Sequence, residues 1–227
     1  MLLSYHKKKG DLIMNLNLTE IIFILDRSGS MAGLEADTIG GYNQFLKEQA
    51  KKAGELRVTT VLFDHEYACL YQSVCPKNAV LTDRQYFVRG CTALYDAVGQ
   101  AVTDTGLRLA ETPESDRPKK MIVVITTDGY ENASKKYTHQ QVQNMIRHQQ
   151  EKYSWEFLFF GANIDVASVA ETIGIQPFRA FGYKADSAGI HKMMASACDM
   201  VSSLRAAPSC QNDTESDQSF SEKNRPN

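Results

Sequence analysis

Four stretches of the chain are almost unbroken in apolar or β-branched residues: 20–25 (EIIFIL), 56–63 (LRVTTVLF), 121–126 (MIVVIT) and 155–161 (WEFLFFG). A strand with one wet face alternates apolar and polar positions, so strands without alternation belong to a sheet covered on both faces. Between them, apolar residues recur at helical spacing. Residues 39–53 carry Ile39, Tyr42, Phe45, Leu46 and Ala50, and residues 94–109 carry Leu94, Ala97, Val98, Ala101, Val102 and Leu109. A more polar helical pattern covers 137–153, a short one 166–173 and a long closing one 185–204. Strands alternating with helices predict an α/β fold: a Rossmann-like, doubly wound, mostly parallel sheet with helices on both faces. One link differs, because only Asp64, His65 and Glu66 separate the second strand from the β-like run 67–74. So short a connection is a hairpin, which places one antiparallel strand at the sheet edge. A weak sixth strand is expected within 177–182.

The same polarity pattern predicts one domain over 18–206, an N-terminal extension over 1–17 and a polar tail over 207–227. The tail is rich in Ser, Asp and Asn and is expected to be disordered. Lys8-Lys9-Gly10-Asp11, just ahead of Met14, can be encoded by a purine-rich stretch like a bacterial ribosome-binding site. Met14 is therefore the expected natural start. A chain of 227 residues can bury a substantial core. Its 25 Lys+Arg against 27 Asp+Glu leave a formal charge of -2, with no basic surplus for nucleic acid or anionic lipid. The five cysteines contain no C-x-x-C pair, and an odd number closes no disulfide framework. With no apolar run as long as a membrane span, a cytoplasmic location is expected.

Chemistry collects where the strands end. The first strand runs into Asp26-Arg27-Ser28-Gly29-Ser30, the fourth into Thr126-Thr127-Asp128-Gly129 and the fifth into Gly161-Ala162-Asn163-Ile164-Asp165. In doubly wound sheets the carboxyl ends of parallel strands share one rim, so Asp26 and Asp128 are predicted neighbours. Thr92, just before a core-facing helix, should project from the same rim. Two close carboxylates raise each other's pKa unless a positive charge lies between them, and a divalent cation supplies one. Two carboxylates with the hydroxyls of Ser28, Ser30 and Thr92 form an all-oxygen set suited to a hard ion, Mg²⁺ first and Mn²⁺ or Ca²⁺ next. Neutral hydroxyls leave such an ion electrophilic, ready to accept an outside carboxylate.

The pattern Asp26-x-Ser28-x-Ser30, then Thr92, then Thr127-Asp128-Gly129 resembles the metal-ion-dependent adhesion site of von Willebrand factor A domains, complete at all five positions. More narrowly, ILDRSGSMAGLEADTIGGYNQFL, YFVRGCTALYDAVG, TTDGYEN and FLFFGANID resemble stand-alone, cytoplasmic bacterial proteins of that class. The resemblance implies that Ser28, Ser30 and Thr92 touch the ion directly, with Asp26 and Asp128 direct or acting through water. It implies a protein-binding module whose partner presents an Asp or Glu, with an ATPase or stress-response assembly as the expected class of partner. Cys91 departs from the small hydroxyl residue or glycine common beside the threonine, without removing a ligand.

Around this set, Asp64, His65, Glu66, Glu131, Asn163 and Asp165 are expected at the rim of a partner site. Each has a plainer alternative: a solvated hairpin tip for the first three, and a helix N-cap for Asp165. The rival function is a metal-dependent hydrolase or phosphatase using the same strand-end site. No G-x-S-x-G elbow, P-loop or G-x-G-x-x-G is present, and His65 is the one candidate base, so a non-enzyme is expected.

Overall fold

The computed structural model describes residues 18–207; the predicted N-terminal extension, the Met14 start and the polar tail beyond Ala207 lie outside the described residues. In chain order the elements are β1 (Leu18–Asp26), α1 (Glu35–Ala50), β2 (Glu55–Phe63), β3 (Tyr67–Val74), α2 (Leu94–Glu111), β4 (Lys120–Thr127), α3 (His139–Tyr153), β5 (Glu156–Gly161), α4 (Val166–Thr172), β6 (Ala180–Gly182) and α5 (Ser187–Ala206). The six strands form one sheet in the order β3-β2-β1-β4-β5-β6. Only β3 runs antiparallel, paired to β2 through the tight turn at Asp64–Glu66.

Every residue of β1 is buried, because the central strand is covered on both faces. Ile21, Phe23 and Leu25 point to one side and pack against Tyr42, Phe45 and Leu46 of α1 and Ile190, Met193, Met194 and Ala197 of α5. Ile22 and Ile24 point to the other, against Leu94 and Val98 of α2 and Val142 and Ile146 of α3. The methionines of α5 therefore fill the core. Phe23 is the hinge of the first layer, meeting the rings of Tyr42 and Phe45 edge-on at 5.4 and 5.1 Å.

Some boundaries differ from the sequence pattern, each for a local reason. Helix α1 begins four residues before its first apolar periodic position, since Glu35 and Asp37 favour the helix's positive end. It stops at Ala50, as the chain turns at Gly54 with φ +90°. The sixth strand shortens to Ala180–Gly182 because Pro177–Arg179 coil into a single 3₁₀ turn. Glu20, in the middle of an apolar run, is fully buried and held by the Arg108 guanidinium at 2.6 Å and the Thr59 hydroxyl at 2.7 Å. The cysteines Cys69, Cys75, Cys91 and Cys198 are all free. Among the described residues no helix is long and apolar enough to cross a membrane.

Phe23→Ala should leave a cavity at the α1 face and cost about 3–5 kcal/mol, read as a lowered denaturant midpoint at unchanged slope. A loss below about 1 kcal/mol would contradict the packing described.

Candidate metal centre

The order of strands reverses between β1 and β4, which lie side by side with Leu25 level with Thr126. The residues that follow, Asp26 and Thr127, therefore leave the sheet at the same height. The Thr127 hydroxyl donates to Asp26 Oδ2 at 2.6 Å, bridging the two strand ends. Beyond Asp26 the chain turns at once, because the Ser28 backbone N–H donates to Asp26 Oδ1 at 2.7 Å in an Asx turn. A single 3₁₀ turn at Gly29–Met31 then brings the Ser28 and Ser30 hydroxyls within 3.2 Å of each other. From there the Ser30 hydroxyl donates to Asp128 Oδ1 at 2.5 Å.

Thr92 arrives from a separate loop that is pinned on both sides. The Gly29 N–H donates to the Gly90 carbonyl at 3.1 Å, and the Thr92 N–H donates to Asn132 Oδ1 at 2.9 Å. The Asn132 N–H returns a bond to the Thr92 carbonyl at 3.0 Å. A Cβ on Gly129 would lie 3.6 Å from both the Ser30 and the Thr92 hydroxyl oxygens, so these two side chains converge over that glycine. All five residues singled out by the motif, Asp26, Ser28, Ser30, Thr92 and Asp128, thus meet at one point of the rim.

The electrostatics there are unbalanced. Asp26 is 1 % exposed and Asp128 2 %, and no ion pair reaches either carboxylate among the described residues. Burial raises the Asp26 carboxyl from 3.8 to about 6, the Asp128 charge adding to the rise while hydrogen bonds from Thr127 and Ser28 oppose it. Burial also raises Asp128, against the Ser30 hydrogen bond. Most telling is Asp128 Oδ2, a buried oxygen with no hydrogen-bond partner. The donor set fits a hard divalent cation: two carboxylates short of positive charge, one oxygen unsatisfied, three hydroxyls alongside. Among the described residues no group of three or more His, Cys, Asp or Glu side chains could hold a metal, so the hydroxyls are indispensable to such a site.

The expected rim residues separate into different roles. Asp64 is fully buried and cannot face a partner; it is a solvated tip only in sequence, because two arginines draw it inside. His65 and Glu66 remain exposed, with Glu66 paired to Arg89. Glu131 is turned to the chain, accepting the backbone N–H groups of Tyr95, Ala133 and Ser134 and so tying the loop after β4 to the start of α2. Asn163 is exposed with φ +57°. Asp165 is the N-cap of α4, accepting the Ser168 N–H at 3.1 Å.

Sequence reasoning missed several supports. Tyr86 is buried and donates to the Asp26 carbonyl at 2.6 Å, and Tyr183 donates to the Thr127 carbonyl at 3.2 Å. Two tyrosines from distant loops thus hold the two strand ends, and no local pattern marks them. Thr127 and Asn132 were not missed: the first belongs to the Thr127-Asp128-Gly129 motif and the second, within TTDGYEN, is expected with Glu131 to shape the rim.

No protein-family model matches the sequence, and no curated protein matches it. Solved structures do. Proximal thread matrix protein 1 from the mussel byssus, with a zinc-occupied MIDAS motif, superposes with a TM-score of 0.59 at 14% identity over 84% of this chain and 47% of that one. Manganese-loaded TRAP protein of Plasmodium vivax superposes at 0.54 and 14%, over 78% and 72%. The vWF domain of the type V pili tip protein Mfa5 from Porphyromonas gingivalis does so at 0.60 and 10%, over 86% and 98%. The fold is therefore that of von Willebrand factor A domains. The chain spans about half the length of the mussel protein it matches.

Asp26 yields a pH prediction. The folded, metal-free chain holds its proton up to about pH 6, whereas the unfolded chain loses it near 3.8. The associated stability is complete below 3.8 and is lost as the pH rises through 6. In chelator, Asp26→Asn should stabilise the protein at pH 7.5 by up to roughly 3 kcal/mol, and by much less near pH 4. Chemical denaturation at the two pH values measures the difference; an Asn variant less stable at pH 7.5 would rule out a strained carboxylate.

Proposed function

We propose that this chain is a divalent-metal-dependent protein-binding module, with Mg²⁺ as the resident ion and Mn²⁺ or Ca²⁺ as substitutes. The single observation that carries this reading is the buried, unpartnered Asp128 Oδ2 beside the hydroxyls of Ser28, Ser30 and Thr92. When bound, the ion supplies a Lewis-acidic position that an Asp or Glu of another protein can occupy. Ser28, Ser30 and Thr92 offer neutral oxygens that do not quench its charge, and Asp128 offers the free carboxylate oxygen. Asp26 spends one hydrogen bond on each carboxylate oxygen, which orients the Ser28 turn and the β4 end around the centre. An oxygen-only set favours magnesium over zinc, while the zinc-occupied and manganese-loaded sites of the mussel and Plasmodium proteins support divalent binding more generally.

The surrounding rim supports recognition of a macromolecule rather than turnover of a small substrate. Exposed Tyr130 and Phe87, with His65, Glu66 and Asn163, lie in loops at the end of the sheet that carries the centre. His65, the base a hydrolase would need, lies 3.2 Å from Asp64 Oδ1 and packs on Gly90. Free cysteines support a reducing, cytoplasmic setting.

With magnesium at ~1 mM and a site of ~0.1 mM affinity, linkage gives about 1.4 kcal/mol of stabilisation. In a domain of this size that raises the melting temperature by roughly 3–6 °C. The shift should vanish in Ser28→Ala, and a wild-type curve indifferent to Mg²⁺, Mn²⁺ and Ca²⁺ would refute the site. Partner capture from the native cell should succeed in Mg²⁺ and fail in chelator; capture unaffected by chelator would remove the metal from the mechanism.

A further inference from the structure

A second charged cluster is built on the same loops as the centre, tied to them by the Arg89 N–H donating to the Arg27 carbonyl and the Ala93 N–H to the Asp64 carbonyl. Asp64, with no exposed surface, accepts the Arg27 Nε at 2.8 Å and the Arg89 Nε at 2.9 Å on the same oxygen, Oδ2. Its other oxygen accepts the Glu66 N–H at 2.7 Å and lies 3.2 Å from His65 Nδ1. The Phe87 ring covers both guanidinium groups, at 5.2 Å from Arg27 and 5.6 Å from Arg89. Gly90 permits this closeness, since its φ is +67° and a Cβ there would stand 2.0 Å from His65 Nδ1.

The positions of the two arginines matter. Arg27 is the residue between Asp26 and Ser28, and Arg89 precedes Thr92 by three residues, with its N–H donating to the Arg27 carbonyl at 3.0 Å. Two cations therefore sit on the loops that carry the centre, where two buried carboxylates lack a counter-charge. A guanidinium within reach of such carboxylates is drawn to them and neutralises them. Neither arginine does so: Arg27, 4 % exposed, is spent on Asp64, and Arg89 on Asp64 and Glu66.

We infer that Asp64 is a positioning residue that reserves the centre for a metal ion, by holding the Arg27 guanidinium away from Asp26 and Asp128. Without it, an uncompensated buried cation competes with the divalent ion for the same two carboxylates. The inference rests on the metal-binding reading above, and adds that the arginine next to the first aspartate is a built-in competitor kept locked.

The test is a cycle of full-length variants titrated with Mn²⁺ by calorimetry, with Ser28→Ala as the control for the site itself. Wild type that binds no metal refutes the underlying function; the remaining outcomes concern Asp64 alone. Asp64→Asn, which keeps the shape and removes the charge, should weaken Mn²⁺ roughly tenfold or more, and adding Arg27→Gln should restore affinity to within about threefold of wild type. Rescue by deleting a second side chain is not what a merely structural role would give. Undiminished affinity in Asp64→Asn, or a loss that Arg27→Gln fails to repair, overturns the proposal. Should Asp64→Asn not fold, Arg27→Gln alone decides: affinity equal to or tighter than wild type supports the lock, and weaker affinity overturns it.

Discussion

The structure turns on two carboxylates buried side by side at the ends of neighbouring parallel strands. Burying either one without a cation is costly, and burying both adds their mutual repulsion. Asp26 and Asp128 are nevertheless almost fully covered, and the chain around them is organised to keep them so. Tyr86 and Tyr183 anchor the strand-end carbonyls, Thr127 joins the strands, and Asn132 clamps the Thr92 loop. None of these four groups carries positive charge. The fold thus supplies rigidity and withholds compensation, which is the condition a divalent ion relieves.

The layered architecture explains why such a point exists at all. In the order β3-β2-β1-β4-β5-β6 the chain departs from β1 in one direction and from β4 in the other, opening a crevice between their carboxyl ends. The two hydrophobic layers fix β1 and β4 in register from below, through Phe23 and its neighbours on one face and Ile22 and Ile24 on the other. Precision at the rim is therefore inherited from packing some distance beneath it.

Much of this was legible in the chain itself. Unbroken apolar strands predicted a sheet covered twice, the three-residue link at Asp64–Glu66 predicted the antiparallel edge, and the strand-end motif predicted which five side chains meet. What escaped notice was long-range and polar. Segment 75–93 has no periodicity, yet buries Pro76, Ala79, Leu81 and Tyr86 and delivers Arg89 and Thr92 to the rim. Asp64 read as a surface turn because its partners, Arg27 and Arg89, lie 37 and 25 residues away. Glu131 looked outward although three of its four hydrogen bonds are local, to Ala133 and Ser134; the fourth, from the Tyr95 N–H, reaches a helix that sequence spacing does not connect with it. Pattern identifies what an element buries; only the fold shows which charges find each other.

The two margins of the sheet have their own bearing on how the molecule keeps company. At one margin β3 carries register shifts against β2 and a non-glycine residue, Ser73, at φ +51°, which breaks the regular ladder. At the other, β6 offers only three residues. A flat, long, open edge invites another chain to extend the sheet, and both of these are poor templates for that kind of growth. Among the described residues, neither margin therefore offers the long regular ladder along which a second copy could extend the sheet.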